Sequence, residues 1–105
     1  MSGFLRIDYE KAMAQAKELE GAAERCGQSL SNLRNEKGAL GTYWVGESGN
    51  AMREQIAVAE GNLTSAQSQL IAIAASIRRV ADELKRADET IKGLIEGFGD
   101  SGLFG

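Results

Sequence analysis

The sequence predicts an all-α protein: an antiparallel helix-turn-helix hairpin that dimerises into an elongated four-helix bundle. Three observations carry this. Apolar residues recur at alternating steps of four and three along nearly the whole chain, a mean spacing of 3.5 residues that holds one stripe of a helix against a partner. Proline is absent from all 105 residues, so nothing forces a helix to break. Two stretches of the pattern meet at Trp44-Val45-Gly46, with Gly41 and Gly49 on either side, and glycines let a chain reverse tightly. Composition agrees, because aromatics are 6% and the apolar residues are mostly Ala, Leu and Ile. Sheets favour β-branched and aromatic residues instead.

Taken in order, residues 1–97 read as a single hairpin domain and residues 98–105 as a flexible Gly-rich tail. Residues 1–7 carry Phe4, Leu5 and Ile7 with no cap before them. Asp8 is the expected N-cap and Glu10 suits the first turn, which starts helix 1 at about residue 8. The first seam runs Leu5, Tyr9, Ala12, Ala16, Leu19, Ala23, Cys26, Leu30, Leu33, Lys37, Leu40 and Trp44, and only Lys37 interrupts the apolar character. The helix is expected to end at about residue 40, with Gly41 in a left-handed conformation. A turn over 41–48 follows, with the Trp44 ring folded inward, Gly46 at the reversal, and Ser48 or Asn50 as the next cap. Helix 2 then spans about 49–97 on the seam Met52, Ile56, Ala59, Leu63, Ala66, Leu70, Ile73, Ile77, Val80, Leu84, Ala87, Ile91, Leu94 and Phe98. Gly61-Asn62 is its weakest point. The seam crosses from Ala59 to Leu63 to Ala66 without a phase shift, which a break would disturb, so the helix is read as continuous. The tail GFGDSGLFG holds four glycines beside Phe98, Leu103 and Phe104.

Helix 2 is longer than helix 1 and runs out of partner near Val80. The overhang from Ala81 to Gly97 would present Leu84, Ala87, Ile91 and Leu94 to water. A two-helix hairpin also buries little surface. Pairing two hairpins covers both, so the chain is expected to dimerise through the seam residues Leu19, Cys26, Leu30, Leu33, Leu40, Ile56, Leu63, Leu70, Ile73, Ile77 and Val80.

Composition also excludes classes of function. The net charge of -3, with twelve Lys and Arg scattered among fifteen Asp and Glu, lacks the basic face a nucleic-acid binder needs. No basic segment followed by a long apolar run opens the chain, and no apolar stretch approaches the roughly 18 residues of a membrane span. Helix 2 is amphipathic, but its polar face is mixed in sign rather than rich in Lys and Arg, so its apolar face is read as core. Cys26 falls on the seam as a small apolar residue. As a nucleophile it would want a neighbouring base such as His, and the chain has no His. A bridge to Cys26 of a second copy requires a symmetric contact. There is no Cys or His cluster to hold a metal, no Gly-rich phosphate loop after a strand, and no cleft for paired carboxylates such as Asp82-Glu83 and Asp88-Glu89. No enzyme activity, cofactor or small-molecule substrate is expected.

With its length, its two amphipathic helices and a central Trp44-Val45-Gly46, essentially the whole chain resembles the WXG family of small proteins exported by type VII secretion in Gram-positive bacteria. The resemblance implies hairpins that pair as antiparallel homodimers, or as heterodimers with another small hairpin or with the helical N-terminal region of a toxin. It implies export without a cleaved signal peptide by a membrane-bound ATPase complex, and a role as effector or as escort. The family carries an export signal near the end of helix 2. The version Tyr-X-X-X-Asp/Glu is missing there, and Tyr43 with Glu47 matches its spacing only across the turn. A second version, hydrophobic-acid-hydrophobic-hydrophobic at steps of four, three and four, is matched by Leu84, Asp88, Ile91 and Ile95. The other reading of the same seams is a cytoplasmic coiled-coil adaptor or scaffold hairpin that is not exported.

Overall fold

The computed structural model describes residues 8–100, with side chains described through Gly97. Two α-helices, α1 (Tyr9–Tyr43) and α2 (Gly46–Asp100), account for all but Asp8, Trp44 and Val45, and no strand occurs among the described residues. The topology is that of a helix-turn-helix hairpin. Asp8 caps α1: its Oδ1 accepts from the Lys11 amide at 3.0 Å, satisfying one of the donors a helix start leaves open.

Both helices run further toward the turn than the sequence suggests. α1 does not stop at Leu40 or at Gly41; it continues to Tyr43, and the Trp44 amide still donates to the Leu40 carbonyl at 2.8 Å. α2 begins at Gly46, so neither Ser48 nor Asn50 is its cap, and Asn50 instead accepts from Arg53 at 2.9 Å. The turn shrinks from the expected 41–48 to two residues. The physical reason is cooperativity. Once a helix is nucleated, each added residue gains a hydrogen bond, and a glycine costs only about 1 kcal/mol against Ala. The same reason carries α2 through Gly61-Asn62, where Thr64 Oγ1 donates to the Glu60 carbonyl at 2.9 Å. It also carries α2 through residues 98–100, which the sequence reading assigns to the tail. Leu103 and Phe104 lie outside the described residues, as do Phe4, Leu5 and Ile7.

The chain divides into two compact units. One comprises residues 18–73 and contains the turn. Within it the helices run antiparallel. Gln67 lies over Gly27, where a β-carbon would stand 2.8 Å from its Nε2. Further along α1, and earlier on α2, Glu60 accepts from Lys37 at 3.1 Å and Arg34 at 3.3 Å. Lys37, the one polar member of the first seam, is thus accommodated by reaching sideways to a carboxylate.

The other unit is formed by residues 8–17 and 74–100 and is also antiparallel. The Tyr9 hydroxyl donates to Asp82 Oδ1 at 2.8 Å. The Lys85 ammonium sits 4.4 Å from the centre of the Tyr9 ring, a cation-π distance. One turn along, Arg78 donates to the Met13 sulfur at 3.5 Å. Ala81 is buried, so the expected overhang does not start there. α2 is engaged as far as Lys85 and continues fifteen residues beyond it to Asp100, roughly 22 Å of helix.

The buried core is built mainly of small residues: Ala16, Ala23, Leu30, Ile56, Ala74 and Ala81. Alanines at a contact let two helices approach closely. Leu19, Cys26, Leu33, Leu40, Leu63, Leu70, Ile77 and Leu84 are half-buried beside them. The α2 seam, however, changes phase after Leu70. The positions turned inward are Ala74 and Ala81, while the expected Ile73 and Val80 are 50% and 43% exposed. A helix of 3.6 residues per turn drifts against a 3.5-residue repeat, and one residue of drift brings the alanine next to each large residue under α1.

Candidate functional site

Two regions carry the residues that the sequence singles out, and each belongs to a different unit. The first is the corner. Gly46 has φ +81°, the only positive φ among the described residues, in a region that costs L-residues with a side chain about 1–2 kcal/mol. Gly49 is buried against the turn: a β-carbon there would lie 2.6 Å from the Trp44 carbonyl oxygen and 2.8 Å from its carbon. That carbonyl accepts from Arg53 Nη1 at 3.1 Å, while Nη2 of the same guanidinium holds Asn50. One arginine about two turns into α2 therefore ties the corner down. Gly49 and Arg53 were not identified as site residues from the sequence. The signal for Gly49 is the short separation of two glycines in Val45-Gly46-Glu47-Ser48-Gly49; nothing in the sequence marks Arg53.

Trp44 is not buried, as an inward-folded ring would be. It is 42% exposed, flanked by Tyr43 and Val45, which are more exposed still. The seam phase that would have buried it belongs to a helix, and α1 has ended one residue earlier. The corner thus presents an aromatic-aliphatic edge rather than a packed plug.

The second region is the end of α2. Leu84, Asp88, Ile91 and Ile95 lie on one helical face because steps of three and four residues return to the same side. Leu84 and Asp88 are half-buried, Ile91 and Ile95 exposed. Asp88, Ile91 and Ile95, together with Lys92 and Glu96, line an open depression of about 380 Å³. Three of the four candidate residues thus share one recess, with Leu84 just below it on the helix. An exposed apolar surface flanked by charges of both signs, on the end of a helix that extends beyond its contacts with Tyr9, is suited to binding another helix.

Two polar contacts lie beside these regions. The hydrogen bond to Asp82, with burial adding to it, raises the Tyr9 phenol above its ordinary range. Hydrogen bonding from Lys37, supplemented by Arg34, holds the Glu60 carboxyl below its ordinary value despite some desolvation. Among the described residues no polar or charged side chain is buried, no cluster of potential metal ligands occurs, and no helix is long and apolar enough to cross a membrane.

What both regions present is apolar surface on helices, and the class this defines is the small helical hairpin that acts through contact with other chains. More particularly, the chain belongs to the WXG100 family, proteins of 100 residues with WXG, whose family model matches residues 5–89. The match includes the corner and reaches Leu84 and Asp88, but not Ile91 and Ile95. Members are small non-enzymatic helical proteins, secreted by type VII systems and typically paired as hairpin dimers. Neither the curated proteins nor the solved structures yield a match to this chain.

Proposed function

We propose that this protein is exported by a type VII secretion system as a dimer, acting as a substrate or effector in its own right or as the escort of a larger toxin. Its partners would be a second helical hairpin, or the helical N-terminal region of that toxin, and the membrane ATPase of the secretion machine. The exposed end of α2 carries the reading. Leu84, Asp88, Ile91 and Ile95 share one face, three of them line one recess, and Ile91 and Ile95 are exposed. In this reading they form the export address, and the Trp44-Gly46 corner sets the hairpin that displays it. In this reading the protein is made in the cytoplasm and reaches the medium through the type VII machine.

Removing residues 88–105 tests this, because it spares every described contact made by α1. The truncated chain should remain helical and accumulate in the cell while its level in the medium falls at least tenfold, an arbitrary threshold equal to about 1.4 kcal/mol of recognition. Normal amounts of truncated protein in the medium would remove the export address from α2. Confinement of the intact protein to the cytosol would favour an adaptor that is not exported.

A further inference from the structure

The first seven residues carry Phe4, Leu5, Arg6 and Ile7, three large apolar side chains and one charge that the hairpin contacts leave unaccounted for. The start of α1 fixes where a chain ahead of it would lead. Asp8 caps α1 through its side chain, and a capping residue stands outside the helical conformation. Tyr9 is pinned to α2 by its hydrogen bond to Asp82 at 2.8 Å and by Lys85 over its ring at 4.4 Å. Four residues later, Met13 meets Arg78. Going back along α1 is therefore going forward along α2, toward Asp88 and beyond.

The end of α2 offers a matching surface. Ile91 and Ile95 are exposed, Ile95 by 60%, and with Asp88, Lys92 and Glu96 they line the recess of about 380 Å³. All five of these residues belong to α2. A single helix is a convex cylinder, so it supplies one wall, and the opposite wall must come from another segment. Reach selects an extended one. The four residues from Tyr9 back to Leu5 span up to about 14 Å when extended, and Lys85 to Ile91 is about 9 Å of helix. Phe4 reaches up to about 17 Å from Tyr9, and Ile95 lies about 15 Å beyond Lys85. As a helix, the same four and five residues would cover only about 6 Å and about 8 Å and fall short of both. Arg6 is the one charged side chain of the segment. Asp88, the acid on the near rim of the recess, has no ion-pair partner among the described residues. Residues 101–105, which follow α2, would have to reverse direction to return to Ile91; residues 1–7 require no reversal.

We propose that residues 1–7 of the same chain lie extended along the end of α2, with Leu5 against Ile91, Phe4 against Ile95 and Arg6 beside Asp88, and so cover the recess. A segment tethered next to its site has a high effective concentration there, so two apolar contacts and one ion pair hold it while leaving it open to displacement. The docking itself does not depend on export. Its consequence rests on the reading above: three of the four residues of the export address are covered, and the segment must be displaced before that address meets an outside helix.

Paired cysteines in a Cys26→Ser background test the contact. Leu5→Cys with Ile91→Cys should form a disulfide within one chain on mild oxidation, because residues in contact lie within the short reach a disulfide requires. Failure to form it overturns the proposal. So does a link that joins two chains instead, which makes a second copy the occupant. So does a Leu103→Cys and Ile91→Cys pair that links in preference, which makes the C-terminal tail the occupant. Hydrogen exchange tests the contact with the native side chains in place. The amides of residues 89–96 should exchange roughly tenfold faster once residues 2–7 are deleted, since exchange follows local opening, while circular dichroism stays that of a helical hairpin. Unchanged exchange overturns the docking. Arg6→Glu should speed exchange in the same stretch, and adding Asp88→Arg should slow it again; absence of that rescue removes the Arg6–Asp88 pair. The two readings fail separately. If the disulfide forms within the chain and the truncation at residue 88 leaves export unchanged, the docking stands and the export address does not.

Discussion

Gly49 matters more than its place beside the central motif suggests. A methyl group there would push into the backbone of Trp44, and backbone has no rotamer by which to escape. Gly49→Ala should therefore cost about 2 kcal/mol or more, at the upper part of the range for overpacking. Gly46→Ala should cost about 1–2 kcal/mol from its positive φ alone. Trp44→Ala should be milder than the about 3–5 kcal/mol typical of a fully buried aromatic. With 42% of the residue already exposed, a loss of about 1–2 kcal/mol is expected from area burial. Urea unfolding followed by circular dichroism measures all three. A Trp44→Ala loss above about 3 kcal/mol would mean that the ring is buried in the protein's working form. The place of Trp44 and Gly46 at the corner was legible in the sequence, but the exposure of Trp44 was not. Periodicity predicts orientation only while the helix lasts, and the helix stops at Tyr43.

For the helices, existence and continuity could be read from spacing, but the inward face of α2 could not beyond Leu70. Each of Ile73 and Val80 is followed directly by an alanine, and hydropathy favours the larger residue. Packing favours the smaller one, because the closer approach brings more backbone and side-chain surface into contact. Substitutions separate the two assignments. Ala81→Leu should destabilise by about 2 kcal/mol through overpacking, and Ile73→Ala by less than about 1 kcal/mol, as expected of a half-exposed side chain. The reverse ranking in urea midpoints would restore Ile73 to the inward face.

The ion pairs of Glu60 belong to the same scale, since they join one helix to the other. Its carboxyl is held below the ordinary value of 4.5. A depressed acid stabilises the folded state fully above its unfolded value and loses that contribution as pH falls through its folded value. Stability should therefore decline below about pH 4.5, and less so in Glu60→Gln than in the parent. Urea midpoints at pH 7 and pH 3.5 compare the two chains. Equal declines would show that Glu60 is not the group responsible.

At the scale of the whole molecule, the exposed surface is the main feature. Val58, Ile71, Ile73, Val80, Ile91, Leu94 and Ile95 are all exposed, whereas most of the buried side chains are alanines. A chain that keeps its small residues inside and its large ones outside stabilises itself weakly and leaves apolar area for another molecule to cover. The family match agrees with that economy. For the truncation at residue 88 the expectation is that hairpin contacts persist and that what is lost is the part of α2 proposed above as the export address.

The sequence by itself determined the fold class, the two helices, the mid-chain reversal and the family, because each is written in spacing or in local conformational preference. It also placed Leu84, Asp88, Ile91 and Ile95 on one face, which follows from helical geometry alone. Only the tertiary structure decided that the turn is two residues long, that Ala74 and Ala81 lie inward in place of Ile73 and Val80, that Trp44 is left partly exposed, and that α2 stays engaged to Lys85. Those outcomes depend on how closely two helix surfaces approach and where one ends against the other, a competition between contacts far apart in the chain that no local pattern records.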